Sequence, residues 1–222
     1  MIVIEDEARE VGAFLAWVIV AGVAVGPRPE PLDALIERLE DRIRRERTLE
    51  FLKDDPIVRA YRKFFWKVGI DPTKTRPSAE ALARRVLRGS RIPAINNVVD
   101  AGNAASLETM IPIGLYDVKK LEGRLRLRRA VPGEEFRPIG GRAERLTGRE
   151  IVLADDARVV HLFPHRDSDE TKVTEGTNEV LVVACGVPGV EEGLVVRAAS
   201  LAARLIAEHC GGEVLERVSL QT

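Results

Sequence analysis

The feature that most constrains this fold is an apolar run over residues 14–25, which ends at the turn-forming dipeptide Gly26-Pro27. The run is too short for a membrane span, which needs about 20 apolar residues. Its β-branched residues favour a strand, so we predict a buried strand over residues 17–25. Acidic residues 5–7 precede the run, where a secretory signal would be basic. The sequence therefore predicts a cytoplasmic protein with no membrane partner.

Downstream of this strand the pattern changes from helical spacing to short strands. Apolar residues at three- and four-residue spacing predict helices over residues 31–52, 56–68, 79–88, 94–109 and 190–210, with Ser78 as an N-cap. Apolar or alternating stretches predict strands over residues 124–130, 150–154, 159–163, 179–185 and 213–220. Helices and strands that do not alternate regularly indicate an α+β class. We predict one domain over residues 1–222, with a mainly helical part over 1–90 and a mixed or antiparallel sheet flanked by helices.

The charge balance and the cysteine content limit the classes of function that this chain can have. The chain has 34 basic and 35 acidic residues, which excludes a uniformly basic nucleic-acid coat. Any RNA contact must use a local patch. Two candidate patches have helical spacing: one is Arg59, Arg62, Lys63 and Lys67, and the other is Arg84, Arg85 and Arg88. Both are also compatible with an ordinary solvated face. The two cysteines, Cys185 and Cys210, form neither a disulfide framework nor a metal-ligand spacing.

Ready-made catalytic signatures are not found in the sequence. It has no Gly-rich phosphate loop, no dinucleotide fingerprint and no nucleophile elbow. His161 and His165 flank a Leu-Phe-Pro segment, but no third metal ligand is evident. We therefore predict neither a metal nor a cofactor.

Two polar segments are unlike ordinary core or loop. Asn96, Asp100 and Asn103 fall on one helical stripe, and they would either pin a neighbouring loop or line a polar pocket. Residues 165–177 carry many hydroxyl and amide groups between two predicted strands. They form either a turn capped by its own side chains or a cradle for a ribose or an acyl ester.

Ordered blocks of residues resemble a known family. They are Asn96-Asn97-Val98-Val99-Asp100 with Asn103, Leu107-Glu108, Pro112, Tyr116-Asp117, Leu121-Glu122-Gly123, residues 125–130 with Gly133-Glu134, residues 151–155 and Thr177. In this order they resemble the B3/B4 domain of the phenylalanyl-tRNA synthetase beta subunit, over about residues 91–184. The flanks resemble stand-alone members of the family at Asp71-Pro72, Arg76-Pro77-Ser78, Arg166-Asp167-Ser168 and Thr171.

The resemblance implies a fold and a site. In the synthetase the domain is an editing module that hydrolyses tyrosine mischarged on phenylalanine tRNA. The resemblance implies an α+β domain whose pocket binds an amino acid esterified to a terminal adenosine, and it assigns substrate-binding positions to Asn96, Asn97, Asp100, Asn103 and Gly114. Gly114 stands where the synthetase has a His in its P-L-H-A-F-D segment, and Val183 stands where it has the editing Glu. Because the synthetase catalytic motifs are not found here, no aminoacyl-tRNA ligase activity is implied.

The sequence therefore supports three hypotheses. The first is a trans-acting aminoacyl-tRNA deacylase with tRNA or aminoacyl-tRNA as partner, His165 as the candidate catalytic base, and Arg166, Asp167, Ser168 and Thr171 as substrate-binding residues. The second is a non-catalytic RNA- or amino-acid-binding module that retained the editing-domain fold. The third is a binder of free amino acids or small aromatic metabolites. For a site of this kind we expect Asn96 and Ser168 to line one pocket.

Overall fold

The computed structural model describes residues 2–222, and within them helices and strands are assembled around two sheets. The helices are α1 Asp6–Glu10, α2 Glu30–Glu46, α3 Leu49–Leu52, α4 Pro56–Lys67, α5 Ser78–Leu87, α6 Asn97–Thr109 and α7 Glu192–Cys210. The strands are β1 Ile2–Ile4, β2 Phe14–Ala21, β3 Ile113–Asp117, β4 Leu125–Arg129, β5 Glu135–Phe136, β6 Glu144–Arg145, β7 Ile151–Ala154, β8 Val159–Leu162, β9 Arg166–Asp167, β10 Glu179–Gly186, β11 Glu213–Val214 and β12 Ser219–Gln221.

The two larger sheets differ in strand direction. The central sheet has the order β11-β2-β10-β3, with β12 also paired to β2, and its pairs are all antiparallel. The second sheet has the order β1-β4-β7-β8-β9; β1 runs parallel to β4 and the other pairs are antiparallel. Strands β5 and β6 form a separate two-stranded ribbon. The α+β class and the mixed or antiparallel sheet flanked by helices are thus confirmed.

Small residues allow α6 and α7 to pack closely on one face of the central sheet. A Cβ on Gly102 of α6 would lie 2.6 Å from the Leu115 side chain of β3. In α7 the alanines at positions 198, 199, 202 and 203 are all buried. The close approach removes apolar surface of β2 and β10 from water, which is the main stabilising contribution of this layer.

Helix α4 connects the two sheets. The Tyr61 hydroxyl donates a hydrogen bond to the Cys185 carbonyl of β10 at 2.5 Å. The Phe64 ring meets the Phe163 ring, just after β8, edge to face at 6.0 Å. Tyr61, Phe64 and Phe65 of α4 are therefore part of the core that the two sheets share, whereas Trp66 is exposed.

Three predicted helix boundaries were wrong for local reasons. The helix predicted over residues 31–52 is broken because Arg47 is extended and Thr48 starts α3 by accepting from the Phe51 amide. Ser78 does not cap α5: the helix already includes it, and Pro77 occupies the cap position. The helix predicted from residue 94 begins at residue 97, because the Asn96 side chain caps it.

The predicted strand over residues 17–25 lies three to four residues earlier, at Phe14–Ala21, so its turn begins before Gly26. The short elements β1, α1, β5, β6 and β9 were not predicted. Among residues 2–222, the helices are all too short or too polar to cross a membrane.

Candidate functional site

A cleft of about 400 Å³ opens between α5, α6 and the edge formed by β3, β8 and β9. This volume is within the range of small-ligand sites. We call it the histidine cleft; its lining residues are Arg76, Ser78, Ala81, Leu82, Arg85, Pro93, Asn103, Ser106, Ile113, His161, His165 and Asp167. Three of the residues predicted for the site, Asn103, His165 and Asp167, are thus brought together.

The β8–β9 hairpin places His161 directly opposite Asp167. Side chains of such cross-strand partners point to the same face of a sheet. His161 Nδ1 lies 2.7 Å from Asp167 Oδ1, and His161 Nε2 lies 3.7 Å from the Cys185 sulfur. A carboxylate at Nδ1 favours the tautomer with its proton there. Both ring nitrogens of this buried imidazole are therefore engaged by the protein.

His165 is the second histidine of the histidine cleft. Its Nδ1 is buried and has no hydrogen-bond partner among the described residues. Burial and the nearby Arg166 charge lower the pKa of His165 to about 4. At neutral pH the ring is therefore uncharged.

Gly114 is required by its neighbours rather than by its backbone angles. A Cβ at this position would lie 1.9 Å from the Tyr116 hydroxyl oxygen and 2.9 Å from Asp167 Oδ1. The Tyr116 hydroxyl is buried and has no hydrogen-bond partner within residues 2–222. The space above position 114, where the resemblance places a histidine, is thus occupied by the hydroxyl of Tyr116.

The polar residues of α6 and of its cap lie in two different places. Asn97 accepts from the Gly26 amide and donates to the Ala24 carbonyl, both at 2.9 Å, so it pins the segment after β2. Asp100 is fully buried against Arg28 Nε at 2.8 Å. Asn96 caps the helix by accepting from the Val99 amide at 2.9 Å. Only Asn103 of this stripe lines the histidine cleft.

The second polar segment is divided as well. Ser168 is fully buried; its backbone amide donates to the Val160 carbonyl, and its hydroxyl accepts from the Glu170 amide. Thr171 is also fully buried, and its hydroxyl has no partner among the described residues. Asn96 lines a separate cleft beside Pro27, so the expected pocket shared by Asn96 and Ser168 is not formed.

The basic residues of α4 are not equivalent. Arg62 binds Glu80 through two hydrogen bonds of 2.8 and 2.5 Å. Arg59, Lys63 and Lys67 instead line an open cleft with Pro188 and Gly189. Glu80 is almost fully buried and is also bound by Arg84 at 2.6 Å. These arginines keep the pKa of Glu80 below its ordinary value despite burial.

Sequence reasoning missed the His161–Asp167 pair, Cys185 and Tyr116. The available signal for the pair was its spacing, since two residues six apart that flank a proline turn can be cross-strand partners. No group of three or more His, Cys, Asp or Glu side chains within residues 2–222 is arranged to hold a metal ion.

Comparisons with known proteins agree on one family. The family model described as B3/4 domain matches residues 60–211. The phenylalanine–tRNA ligase beta subunit of Moorella thermoacetica is 30% identical over 191 residues, which is 75% of this chain and 23% of that protein. The Nocardia farcinica beta subunit is 37% identical over 116 residues, which is 52% of this chain and 14% of that protein. The matched segments are thus a quarter or less of these relatives.

The fold is also found among solved structures. The crystal structure of an N-terminal fragment of the phenylalanyl-tRNA synthetase beta subunit from Pyrococcus horikoshii aligns with a TM-score of 0.54 at 14% identity. The alignment covers 100% of this chain and 54% of the fragment. Together with the family match over residues 60–211, this shows that the chain belongs to the B3/4 domain family, as found in the phenylalanyl-tRNA synthetase beta subunit.

Proposed function

We propose that this protein hydrolyses the ester bond of mischarged aminoacyl-tRNA in trans. The observation that carries the proposal is His165, an imidazole that is neutral at pH 7 and forms part of the wall of the histidine cleft. The B3/4 relation to a tRNA ligase subunit supports RNA as the carrier of the ester. An aminoacyl ester is already reactive, so its hydrolysis needs a positioned water and a proton acceptor more than a strong nucleophile.

His165 acts as the general base. Its imidazole takes a proton from water as the water oxygen bonds to the ester carbonyl carbon. The carbon–oxygen bond to the ribose then breaks, and the leaving ribose oxygen takes the proton back from His165. The products are the free amino acid and the tRNA with its ribose hydroxyl restored, and His165 ends neutral, as it began.

Neighbouring side chains stabilise charge and orient the acyl group. Arg76 and Arg85 line the same cleft and stabilise negative charge that develops on the carbonyl oxygen. Asp167 accepts from His161 through Oδ1, and its carboxylate, at the wall of the cleft, binds the substrate ammonium group. His161 is a positioning residue, because Asp167 and Cys185 engage its two nitrogens.

The test is a deacylation panel with purified protein, many mischarged tRNAs and a no-enzyme control. We expect His165→Ala to slow turnover by about a hundredfold or more, with tRNA affinity nearly unchanged. His209→Ala is the matched control, since His209 lies at the end of α7 and does not line the histidine cleft. Full activity in a folded His165→Ala protein would contradict the base assignment.

A non-catalytic RNA- or amino-acid-binding module is the second candidate. The observation that favours it is position 114, where the Tyr116 hydroxyl fills the space that the resemblance gives to a histidine. This candidate predicts that the wild-type protein binds tRNA or an amino acid but releases no amino acid from any member of the panel.

A further inference from the structure

A groove of about 550 Å³ opens over α6, between α2 and α7. Helix α6 packs against both of these helices, so it forms the floor of the groove, and α2 and α7 form its walls. Among the described residues, the groove and the histidine cleft have no lining residue in common. We call it the leucine groove; its apolar lining residues are Leu35, Leu39, Ala104, Leu201 and Leu205.

The apolar lining of the leucine groove has the spacing of a helix-packing surface. Leu35 and Leu39 are four residues apart on α2, and Leu201 and Leu205 are four residues apart on α7. Side chains at this spacing form ridges, and a further helix packs its own ridges between them. The lining residue of α6 between the two leucine pairs is Ala104, whose side chain is a single methyl group. The groove therefore has the form of a seat for an additional helix.

Three arginines of α2 line the same groove beside its leucines. They are Arg38, Arg42 and Arg45, at four- and three-residue spacing, so they form a stripe along one side of the helix. Like charges at this spacing destabilise a helix. The stripe therefore has a cost for α2 that an acidic counterpart would remove.

Half of the arginines that line the leucine groove have a carboxylate partner within residues 2–222. Arg42 forms an ion pair with Glu108 of α6, and Arg204 Nη1 of α7 lies 3.9 Å from Glu208 Oε1. These two glutamates are the carboxylates of the described lining, which contains four arginines. The lining thus has an excess of two positive charges.

The two remaining arginines, Arg38 and Arg45, are exposed and form no ion pair with any described residue. Asp41 lies about one turn from each of them, but its Oδ1 is bound by Arg44 Nη1 at 3.0 Å. Their acidic sequence neighbours lie about 100° away around the helix. Both guanidinium groups are therefore available to carboxylates from outside the chain, which they bind through paired N–H donors.

We propose that the leucine groove binds an acidic amphipathic α-helix of a partner protein. Apolar side chains at four-residue spacing on that helix lie between the two leucine pairs, and carboxylates on its flank bind Arg38 and Arg45. The described lining contains no aromatic side chain on which a nucleotide base could stack, which favours a protein over an RNA. A two-fold contact between two copies of the groove would bring like charges together, which favours a different protein over a second copy.

The experiment measures the binding of labelled synthetic peptides by fluorescence anisotropy. The acidic peptide has about 15 residues, which is longer than the groove, with Leu along one helical face, Glu on both flanks and Ala elsewhere. A scrambled peptide has the same composition without an apolar face, and a basic peptide has Lys in place of each Glu. We expect the wild-type protein to bind the acidic peptide roughly tenfold more tightly than either of the others.

The test variant is Arg38→Glu/Arg45→Glu, which changes two exposed side chains. We expect it to bind the acidic peptide roughly tenfold more weakly than the wild type does, and the basic peptide more tightly, because the charge of the groove is reversed. Arg38→Gln/Arg45→Gln removes the charges without adding new ones to α2, and its affinity for the acidic peptide should lie between those of the other two proteins.

The matched control is Arg142→Glu/Arg217→Glu. It makes the same change of net charge at two exposed residues outside the groove that form no ion pair within residues 2–222. We expect it to bind all three peptides as the wild type does. Equal losses in the test and control variants would overturn the proposal, because the effect would then be one of net charge.

Three other results would also overturn the proposal. Equal wild-type affinity for the acidic and scrambled peptides would show that no helical face is recognised. Binding of single-stranded RNA that Arg38→Glu/Arg45→Glu abolishes, in a protein with no affinity for the acidic peptide, would assign the groove to RNA. A wild-type dimer that the same variant dissociates in analytical ultracentrifugation, again without peptide binding, would assign the groove to a second copy of this chain.

Discussion

At the scale of single residues, Gly114 and Tyr116 form a complementary pair. Gly114→Ala would place a methyl group 1.9 Å from the Tyr116 hydroxyl oxygen and 2.6 Å from its Cζ atom. Tyr116 is fully buried and cannot move away freely. We expect the variant to lose about 1–3 kcal/mol of unfolding free energy, measured by urea denaturation.

The double variant Gly114→Ala/Tyr116→Phe is the matched control. Removing the hydroxyl leaves no partner unsatisfied, because that oxygen makes no hydrogen bond among the described residues. Stability should recover in part, since the ring carbon remains close to the new methyl group. Equal stability of the two variants would show that the hydroxyl does not occupy this space.

His165 links stability to pH. Its pKa falls from 6.5 to about 4 on folding, so the unfolded chain binds more protons between these values. The unfolding free energy is therefore unaffected by this titration above pH 6.5. As the pH falls toward 4, the contribution linked to the neutral His165 is lost. The charged and titratable groups around it are Arg76 and Lys74 before α5, Arg84, Arg85 and Arg88 of α5, His161 of β8, and Arg166 and Asp167 of β9.

We expect the wild type to lose up to about 3 kcal/mol relative to His165→Gln across this pH interval. The measurement is urea unfolding of both proteins at several pH values, and the shared carboxylates cancel in the difference. A difference that stays constant with pH would show that the pKa of His165 is not lowered.

At the scale of elements, the residues of α4 divide by function. Arg59→Ala/Lys63→Ala should reduce the slope of log K against log salt for tRNA by about 1–2 without lowering the melting temperature, because both side chains are exposed. Arg62→Ala should instead cost about 1–3 kcal/mol of stability, since it removes a partner of buried Glu80. The two variants are compared by tRNA titration and thermal melting. A smaller salt slope in Arg62→Ala, with a lower melting temperature in Arg59→Ala/Lys63→Ala, would instead assign the RNA contact to Arg62.

The long, periodic elements could be predicted from the sequence, whereas the breaks and short strands could not. Helix α4 and strand β10 lie within a residue or two of their predicted ranges, because their apolar spacing extends over many residues. Strands β5, β6 and β9 have two residues each, too few to show any period. Arg47 interrupts a continuing helical pattern through its backbone conformation, which the spacing does not reveal.

The site was harder to predict than the fold because its contacts join residues from different elements. Asn103, His165 and Asp167 were recognised as polar residues in unusual segments. The partnership of His161 with Asp167 depends on a hairpin register, and that of His161 with Cys185 depends on how the two sheets pack. Both are properties of the tertiary structure.

At the scale of the whole molecule, the segment that resembles the synthetase domain depends on its flanks. Strand β10 pairs along its full length with β2, and α7 covers both strands. A fragment of residues 91–184 lacks β2 and α7, so it would expose the apolar face of β10. We expect it to show no cooperative unfolding transition by circular dichroism, in contrast to residues 2–222. A cooperative transition in the fragment would show that the central strands do not need these partners.

His165 belongs to two parts of the fold at once, and this has a consequence for how the site can change. It follows β8 and immediately precedes β9, and its ring meets the Phe65 ring of α4 edge to face at 6.2 Å. Phe65 is fully buried in the core. The orientation of the imidazole therefore depends on how α4 packs, so a substitution in the core beneath α4 would alter the chemistry of the cleft without touching its lining.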